Sequence, residues 1–402
     1  MMATAGPLAI RDFRRLWLAS LLSLTGSQVS RIGLILGIVQ TTNSVSAVAL
    51  LVLVETLPSA LLAPLAGAAV DRLGKRSLMI AMDFVRFMGL MVILAMPVPA
   101  VILTVACVNA IATCVFQPAR TAAIPLVVPP DRIVAANSWD QGAANLMFIL
   151  GPALGTELFV ALGLRWTLVL DGVTYLASAA LLAGVHGCDD ARSGVGGMLA
   201  SAASDIRGGW RYLRSHDLVL HLSALFFVSL VCAGLWTPLA PFFVRDVLGG
   251  TTRLLGWQFA AFGAGAVAGS LLAPPLVGRL GRGALLSGAL LAEGVCQTAY
   301  AASDDALAST ALIVVWGTAV SLIVVPFYSI LQTVVDAPFR GRVLSTVRQT
   351  ENVATTLSLG VAALLHGYMN SQSILLAGGL AYCALVAGSC LTVGGRGLLA
   401  TR

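Results

Sequence analysis

The chain has 402 residues, of which 58% are hydrophobic and 10% are charged, and its mean hydropathy is +0.92. No soluble core of this length can cover so much apolar surface, so the composition excludes a soluble globular domain and indicates an integral membrane protein. The formal net charge of +6 does not indicate a nucleic-acid partner, because most of the cations lie in alternate loops between apolar stretches.

Twelve apolar stretches are long enough to cross a membrane, which takes about 20 residues in a helix. In chain order the predicted spans are 17–40, 45–66, 78–96, 99–118, 137–162, 166–185, 218–243, 255–277, 284–302, 306–333, 344–368 and 373–393. Six precede the segment 186–216 and six follow it. The sequence therefore predicts an all-α membrane protein with an N-terminal six-helix bundle (1–185) and a C-terminal six-helix bundle (217–402).

We expect the segment 186–216 to be a cytoplasmic linker. Its first part is rich in glycine and serine and predicts a flexible chain, whereas its second part, 205–213, predicts a short amphipathic helix on the membrane surface. Eighteen of the 24 lysines and arginines lie on the linker's side of the predicted spans, which predicts cytoplasmic termini. The basic stretch RDFRR precedes an apolar run of span length, so we expect the first helix to be retained rather than cleaved as a signal peptide.

Two segments recur about 210 residues apart. LLAPLAGAAVDRLGKR at 61–76 returns as LLAPPLVGRLGRG at 271–283, and FQPARTAAIPLVVPPDRIVAAN at 116–137 aligns with VPFYSILQTVVDAPFRGRVLST at 325–346. The chain is therefore a duplication of two membrane halves. Halves of this kind can rock against each other and open a central site to one side and then to the other, which indicates transport.

The first copy of the repeated turn is a candidate gating loop. Its candidate residues are Gly67, Asp71, Arg72, Gly74, Lys75 and Arg76. Gly74 is expected to supply a positive φ, and Asp71 is expected to pair with a neighbouring helix. The alternative is a basic turn that only sets topology. The expected partners are two charged pairs at i, i+3, namely Asp83 with Arg86 and Arg348 with Glu351.

Two charged residues lie near the middle of the first two predicted spans. A charge at that depth costs at least ~2.5 kcal/mol, so Arg31 and Glu55 are expected to pair with each other. As a hypothesis, Glu55 is the proton-coupling or substrate-sensing carboxylate and Arg31 is its counter-charge. The alternative is a static ion pair that fixes helix packing.

The fifth predicted span carries Gly151, Pro152 and Gly155, which permit close packing against a neighbouring helix. The seven cysteines show no CxxC spacing, and the histidines near the linker have no spacing typical of metal ligands. We therefore expect no metal and no cofactor. Nucleophile motifs and a P-loop are also absent from the sequence, which disfavours an enzyme and an ATP-driven pump.

GAAVDRLGKR and the weaker GRLGRG resemble the repeated cytoplasmic-loop signature of the major facilitator superfamily. GSQ at 26–28, DFVR at 83–86, FQPAR at 116–120, AANS at 135–138 and LGPALG at 150–155 resemble its bacterial branch of macrolide-efflux and enterobactin-export carriers. The resemblance implies a major facilitator fold of 12 transmembrane helices in two pseudo-symmetric bundles. It also implies alternating access, commonly export driven by inward proton flow.

The sequence departs from the family pattern at one position that concerns proton coupling. Drug/proton antiporters of the superfamily usually carry an arginine in the fourth helix, whereas the stretch 101–116 has no charge here. Proton coupling at that position is therefore excluded, so either another ionisable group carries the proton or the identity of the driving ion stays open.

We expect a proton-coupled exporter of a mid-sized, partly apolar compound such as a drug, a siderophore or a secondary metabolite. Alternatives are an uptake symporter, a lysophospholipid-flipping carrier and a non-transporting membrane sensor. The expected partners are the lipid bilayer, a small-molecule substrate and protons, with no nucleic acid. We expect a monomer that crosses the bacterial inner membrane many times.

Overall fold

A computed structural model describes residues 7–188 and 198–390. Within these ranges side chains are described except at positions 59–60, 63–65, 67–69, 71–72, 134, 145, 148, 198–206, 337–338 and 390. The described backbone is helical apart from short connections and contains no strand.

Thirteen α-helices follow one another in these ranges. They are α1 (Arg11–Thr42), α2 (Val45–Arg72), α3 (Lys75–Ala95), α4 (Pro99–Val127), α5 (Ile133–Ala183), α6 (Met198–Ser215), α7 (Asp217–Gly234), α8 (Trp236–Asp246), α9 (Thr252–Leu280), α10 (Arg282–Ala302), α11 (Ala306–Val334), α12 (Ala337–Leu365) and α13 (Ser371–Cys390). Short 3₁₀ turns, Pro7–Ala9 and Pro130–Arg132, precede α1 and α5.

Among the described residues, eight helical stretches are long and apolar enough to cross a membrane. One of them is α5, whose 51 residues are long enough for two spans and which bends at Gly163, where φ is 78°. Another is α7 together with α8. The helices α2, α10 and α12 fall outside that set but have 28, 21 and 29 residues, enough to span. All twelve predicted spans thus correspond to helices, the last as far as Cys390, and the predicted all-α membrane fold is confirmed.

Helix ends differ from the predicted ones in two places. The seventh span is interrupted at Leu235, because Pro238 lies in the first turn of α8, where its missing N–H costs no helical hydrogen bond. The eleventh span begins at Ala337 rather than 344, and its polar first turns extend beyond the apolar stretch. Hydropathy alone does not reveal either feature.

Helix α6 covers the second part of the predicted linker. The hydroxyl of Tyr212 lies 3.2 Å from a carboxylate oxygen of Asp336, and its ring stacks on Phe339 at 5.2 Å. At Gly209 a Cβ would lie 2.7 Å from the carbonyl oxygen of Arg342. The absence of a side chain at this position therefore lets α6 pack closely against α12.

The described helices group into two compact units. Residues up to Asn43 together with Leu50–Leu199 form the first unit, and Ser44–Ala49 together with the residues from Ala200 onward form the second. In the first unit α1 packs along α5, and α3 packs against α4 and α5. In the second, α9 packs along α11, and α10 packs against α11 and α13. The assignment of 186–216 as the linker between two bundles stays a prediction.

Candidate functional site

A cavity of about 610 Å³ lies inside the first unit, between α1, α2, α4 and the second half of α5. Its polar wall residues are Ser27, Gln28, Ser30, Arg31, Glu55, Thr56, Asn109, Thr113, Gln117 and Tyr175. Leu24, Leu34, Ala106, Ala110, Cys114 and Pro118 complete the wall. This volume is typical of sites for drug-sized molecules, and the mixed wall suits a compound with both polar and apolar surface.

The structure brings Arg31 and Glu55 together on this wall. Arg31 Nε donates to Glu55 Oε2 at 3.1 Å, and the two side chains are 36% and 17% exposed. Among the described side chains, the remaining guanidinium N–H groups and Glu55 Oε1 make no further hydrogen bond within the protein. The pair is therefore neutral as a whole but keeps donors and an acceptor available to a molecule in the cavity.

A buried polar network extends from the cavity wall into the bundle. The hydroxyls of Ser27 and Tyr175 share a hydrogen bond of 2.9 Å, and Ser30 donates to the carboxylate of Asp171. The guanidinium of Arg86 lies over the ring of Tyr175 at 4.7 Å and over that of Phe116 at 4.4 Å. The wall residues on α1 and α5 are thus held in place by buried polar contacts.

Comparison with known proteins identifies the family. The family model described as Major Facilitator Superfamily matches residues 16–359. The chain belongs to the Major Facilitator Superfamily.

Two curated relatives of this major facilitator protein are efflux proteins. Macrolide efflux protein A of Streptococcus pyogenes is 23% identical over 388 residues, which cover 93% of this chain and 94% of that protein. Multidrug efflux pump Tap of Mycolicibacterium fortuitum is 28% identical over 335 residues, covering 77% of this chain and 78% of that protein. The predicted resemblance to the macrolide-efflux branch is confirmed, and the chain is a membrane transporter rather than an enzyme.

The fold is also that of solved transporters. A bacterial homologue of the iron transporter ferroportin, in an inward-facing state, superimposes with a TM-score of 0.77 at 15% identity, covering 96% of this chain and 100% of that chain. This likeness establishes the major facilitator architecture and nothing about substrate.

The candidate gating loop of this major facilitator protein is described in part. Gly67, Asp71 and Arg72 belong to α2, and their side chains lie outside the described part. The expected positive φ at Gly74 is wrong, since φ is −58° and ψ is 123°. Gly74 occupies the N-cap of α3, a position that takes non-helical backbone angles with negative φ, and no left-handed turn is needed.

Cations from this loop and from α1 meet the end of α5. Arg76 donates to the carbonyl oxygen of Ala183, and Arg15 donates to that of Gly184. Lys75 is buried in the first turn of α3. Positive groups at a helix C-terminus compensate its unpaired carbonyls and its dipole. Arg76 therefore ties α3 to α5 within the first unit, and the latch role of the loop stays a prediction.

The two predicted partner pairs have different geometries. Arg86 and Asp83 form an ion pair of 2.6 Å with side chains 3% and 0% exposed, so the pair faces the bundle interior. Ser178 on α5 donates to the same carboxylate at 2.7 Å. In the second unit, Glu351 accepts a hydrogen bond from Tyr328, and the described residues contain no ion pair between Glu351 and Arg348.

The glycine and proline motif of α5 lies against α1. A Cβ on Gly155 would lie 2.7 Å from the carbonyl oxygen of Val29, and one on Gly151 would overlap Gln28. The structure thus places both glycines where two helix backbones approach closely, beside the cavity wall residue Gln28. Thr156 donates to the carbonyl oxygen of Pro152 at 2.9 Å.

Asp171 and Tyr175 connect the cavity wall to the buried network, and from the sequence Asp171 is expected only to be structural. A signal was available, because an acidic residue inside an apolar span needs a partner. Which helix supplies that partner depends on the packing of α1 against α5. A single sequence does not show that packing.

Proposed function

We propose that this transporter is a secondary exporter of a mid-sized, partly apolar compound. The observation that carries the proposal is the Arg31–Glu55 pair on the wall of the 610 Å³ cavity. Two of its relatives are named as a macrolide efflux protein and a multidrug efflux pump, and these names support transport out of the cell. Antibiotics, siderophores and secondary metabolites share the size and mixed polarity that the cavity accommodates.

The ion pair can couple substrate and proton without any covalent step. A proton that binds Glu55 neutralises the carboxylate and releases Arg31, whose guanidinium then faces the cavity alone. A substrate oxygen or a change of conformation can satisfy Arg31 in that state. When the proton leaves, the pair re-forms and the bound group loses its partner. Because the pair makes one hydrogen bond and is partly exposed, breaking it costs less than breaking a fully buried pair.

The proposed arrangement in the cell follows the charge pattern of the sequence. Both termini and the segment 186–216 face the cytoplasm, and the protein works as a monomer in the inner membrane. The loop 67–76 acts as a latch on that face, and its proposed partners are the pairs Asp83 with Arg86 on α3 and Arg348 with Glu351 on α12. Gly151, Pro152 and Gly155 keep α5 close enough to α1 to seal the cavity against leakage.

Everted membrane vesicles test direction and coupling together, with a radiolabelled macrolide as the probe. We expect the macrolide to accumulate in vesicles with an acidic interior and to be lost on addition of a protonophore. The variant Glu55→Gln is expected to abolish gradient-driven accumulation, because its side chain cannot take up and release a proton. Glu157→Gln is the matched control, since Glu157 lies on α5 outside the cavity wall.

Two results would contradict the proposal. Accumulation only in right-side-out vesicles would identify an uptake carrier. Full gradient-driven transport by Glu55→Gln would leave the Arg31–Glu55 pair as a static contact that fixes the packing of α1 against α2.

A further inference from the structure

The second unit also contains a buried carboxyl group, that of Glu293. Glu293 is in the middle of α10 and is 1% exposed. Ser229 on α7 and Tyr382 on α13 each donate to Glu293 Oε2 at 2.6 Å. Both donors are themselves buried. Glu293 therefore joins three helices of the second unit through hydroxyl groups.

Asp83 is the buried acid of α3, the helix that follows the first copy of the repeated turn, and Glu293 is the buried acid of α10, which follows the second copy. Asp83 lies nine residues after Gly74 and Glu293 lies twelve residues after Gly281, so Glu293 is about one turn further along its helix. Asp83 accepts from Ser178 on the last span of its half, as Glu293 accepts from Tyr382. Ser23 on α1 lies beside Asp83, as Ser229 lies beside Glu293.

The two copies differ in their counter-charge. Asp83 pairs with Arg86, three residues further along α3. The residue three positions after Glu293 is Cys296, which is buried and carries no positive charge. A carboxylate buried in a membrane bundle without a cation is strongly disfavoured relative to its protonated form.

Among the described residues, the groups that interact with Glu293 from its own and from neighbouring helices carry no positive charge. The titratable ones are Cys232 on α7, Cys296 on α10 and Tyr382 on α13. Trp316 on α11 lies near this carboxyl, but its indole N–H forms no hydrogen bond with a described residue. Among the described residues, no lysine, arginine or histidine forms an ion pair with this carboxyl.

We propose that Glu293 is a proton-binding site of the second unit, which holds its proton in this conformation and releases it when α7 moves away. The residue between α7 and α8, Leu235, keeps helical backbone angles (φ −58°, ψ −29°), so Asp217–Asp246 is one span, and a movement of this span carries Ser229 with it. Loss of the Ser229 contact alone would remove a donor that stabilises the carboxylate, so release of the proton requires water to enter the gap and solvate the charge in its place. The role of this proton in coupling rests on the proposed exporter function, whereas its presence on Glu293 does not.

Infrared spectroscopy of the purified full-length chain tests proton binding without any substrate. We expect a carbonyl stretching band of a protonated carboxyl at neutral pH that is lost in Glu293→Gln and kept in Asp83→Asn. A spectrum in which Glu293→Gln removes no such band would overturn the proposal, because Glu293 would then be ionised.

The variant Tyr382→Phe supports the same test if Glu293→Gln fails to fold. It keeps the acid but removes one donor that stabilises the charged form, so the band should persist to higher pH. A band with unchanged pH dependence in Tyr382→Phe would count against the proposal.

Proteoliposomes with a radiolabelled macrolide test the coupling role. Glu293→Gln should retain exchange of macrolide across the membrane, which needs no proton gradient, and lose accumulation driven by the gradient. Retention of both would overturn the coupling role. If the wild-type protein carries no macrolide, the proposed exporter function is contradicted for this probe, while the infrared result still decides whether Glu293 holds a proton.

Discussion

Two ion pairs in the first unit differ mainly in exposure. Arg31 and Glu55 are 36% and 17% exposed on the cavity wall, whereas Arg86 and Asp83 are 3% and 0% exposed inside the bundle. A partly exposed pair can exchange its partner for a proton or a substrate group. A buried pair cannot do so without leaving a bare charge in a low-dielectric interior. Under the proposed function, the first pair serves transport and the second pair serves stability.

Replacing Arg86 tests this division. Arg86→Gln removes the counter-charge of Asp83 and the cation that lies over Phe116 and Tyr175. We expect the free energy of unfolding to fall by about 3–5 kcal/mol, because one partner of a buried pair is left uncompensated. Denaturant titration of the purified protein in detergent measures the change. The control Arg31→Gln should affect transport more than stability, and equal destabilisation by both variants would contradict the assignment.

At the scale of helices, the sequence predicted all twelve spans because about 20 apolar residues are required to cross a bilayer. It did not predict the break at Leu235 or the negative φ of Gly74, which depend on local hydrogen bonding rather than hydropathy. The partners of Asp171 and Glu293 were also out of reach. Nearly every face of a membrane helix is apolar, so periodicity does not show which face meets which neighbour.

Close packing of α5 against α1 has its own test. Gly155→Ala places a Cβ 2.7 Å from the carbonyl oxygen of Val29, so the two helix backbones must move apart. We expect a loss of about 1–3 kcal/mol in unfolding free energy, as for other overpacked sites. Gly142→Ala on the same helix is the matched control, since nothing lies within 4 Å of its Cβ. A Gly155→Ala protein as stable as Gly142→Ala would show that α5 does not depend on this contact.

For the whole molecule, the duplication sets the architecture while the two copies have diverged in detail. Gly74 and Gly281 occupy the same place in the repeated turn, yet φ is −58° at the first and 82° at the second. In the first copy Asp83 pairs with Arg86 three residues further along α3, whereas in the second copy the residue three positions after Glu293 is Cys296. The sequence repeat thus predicts two similar bundles, but the charges on which a mechanism depends are not duplicated.

The repeated turn differs in the same way, because Asp71 in the first copy corresponds to Gly278 in the second. A latch that forms and breaks an ion pair needs an acid as well as cations, so only the first turn can serve as one. We expect Asp71→Asn to slow macrolide transport at least about tenfold, a rise of roughly 1.4 kcal/mol in the barrier, and Arg279→Gln to have little effect. Initial rates in everted vesicles, normalised to the amount of transporter, measure both. Equal losses would show that the turn acts through the cations that both copies keep, which would assign it to membrane topology rather than gating.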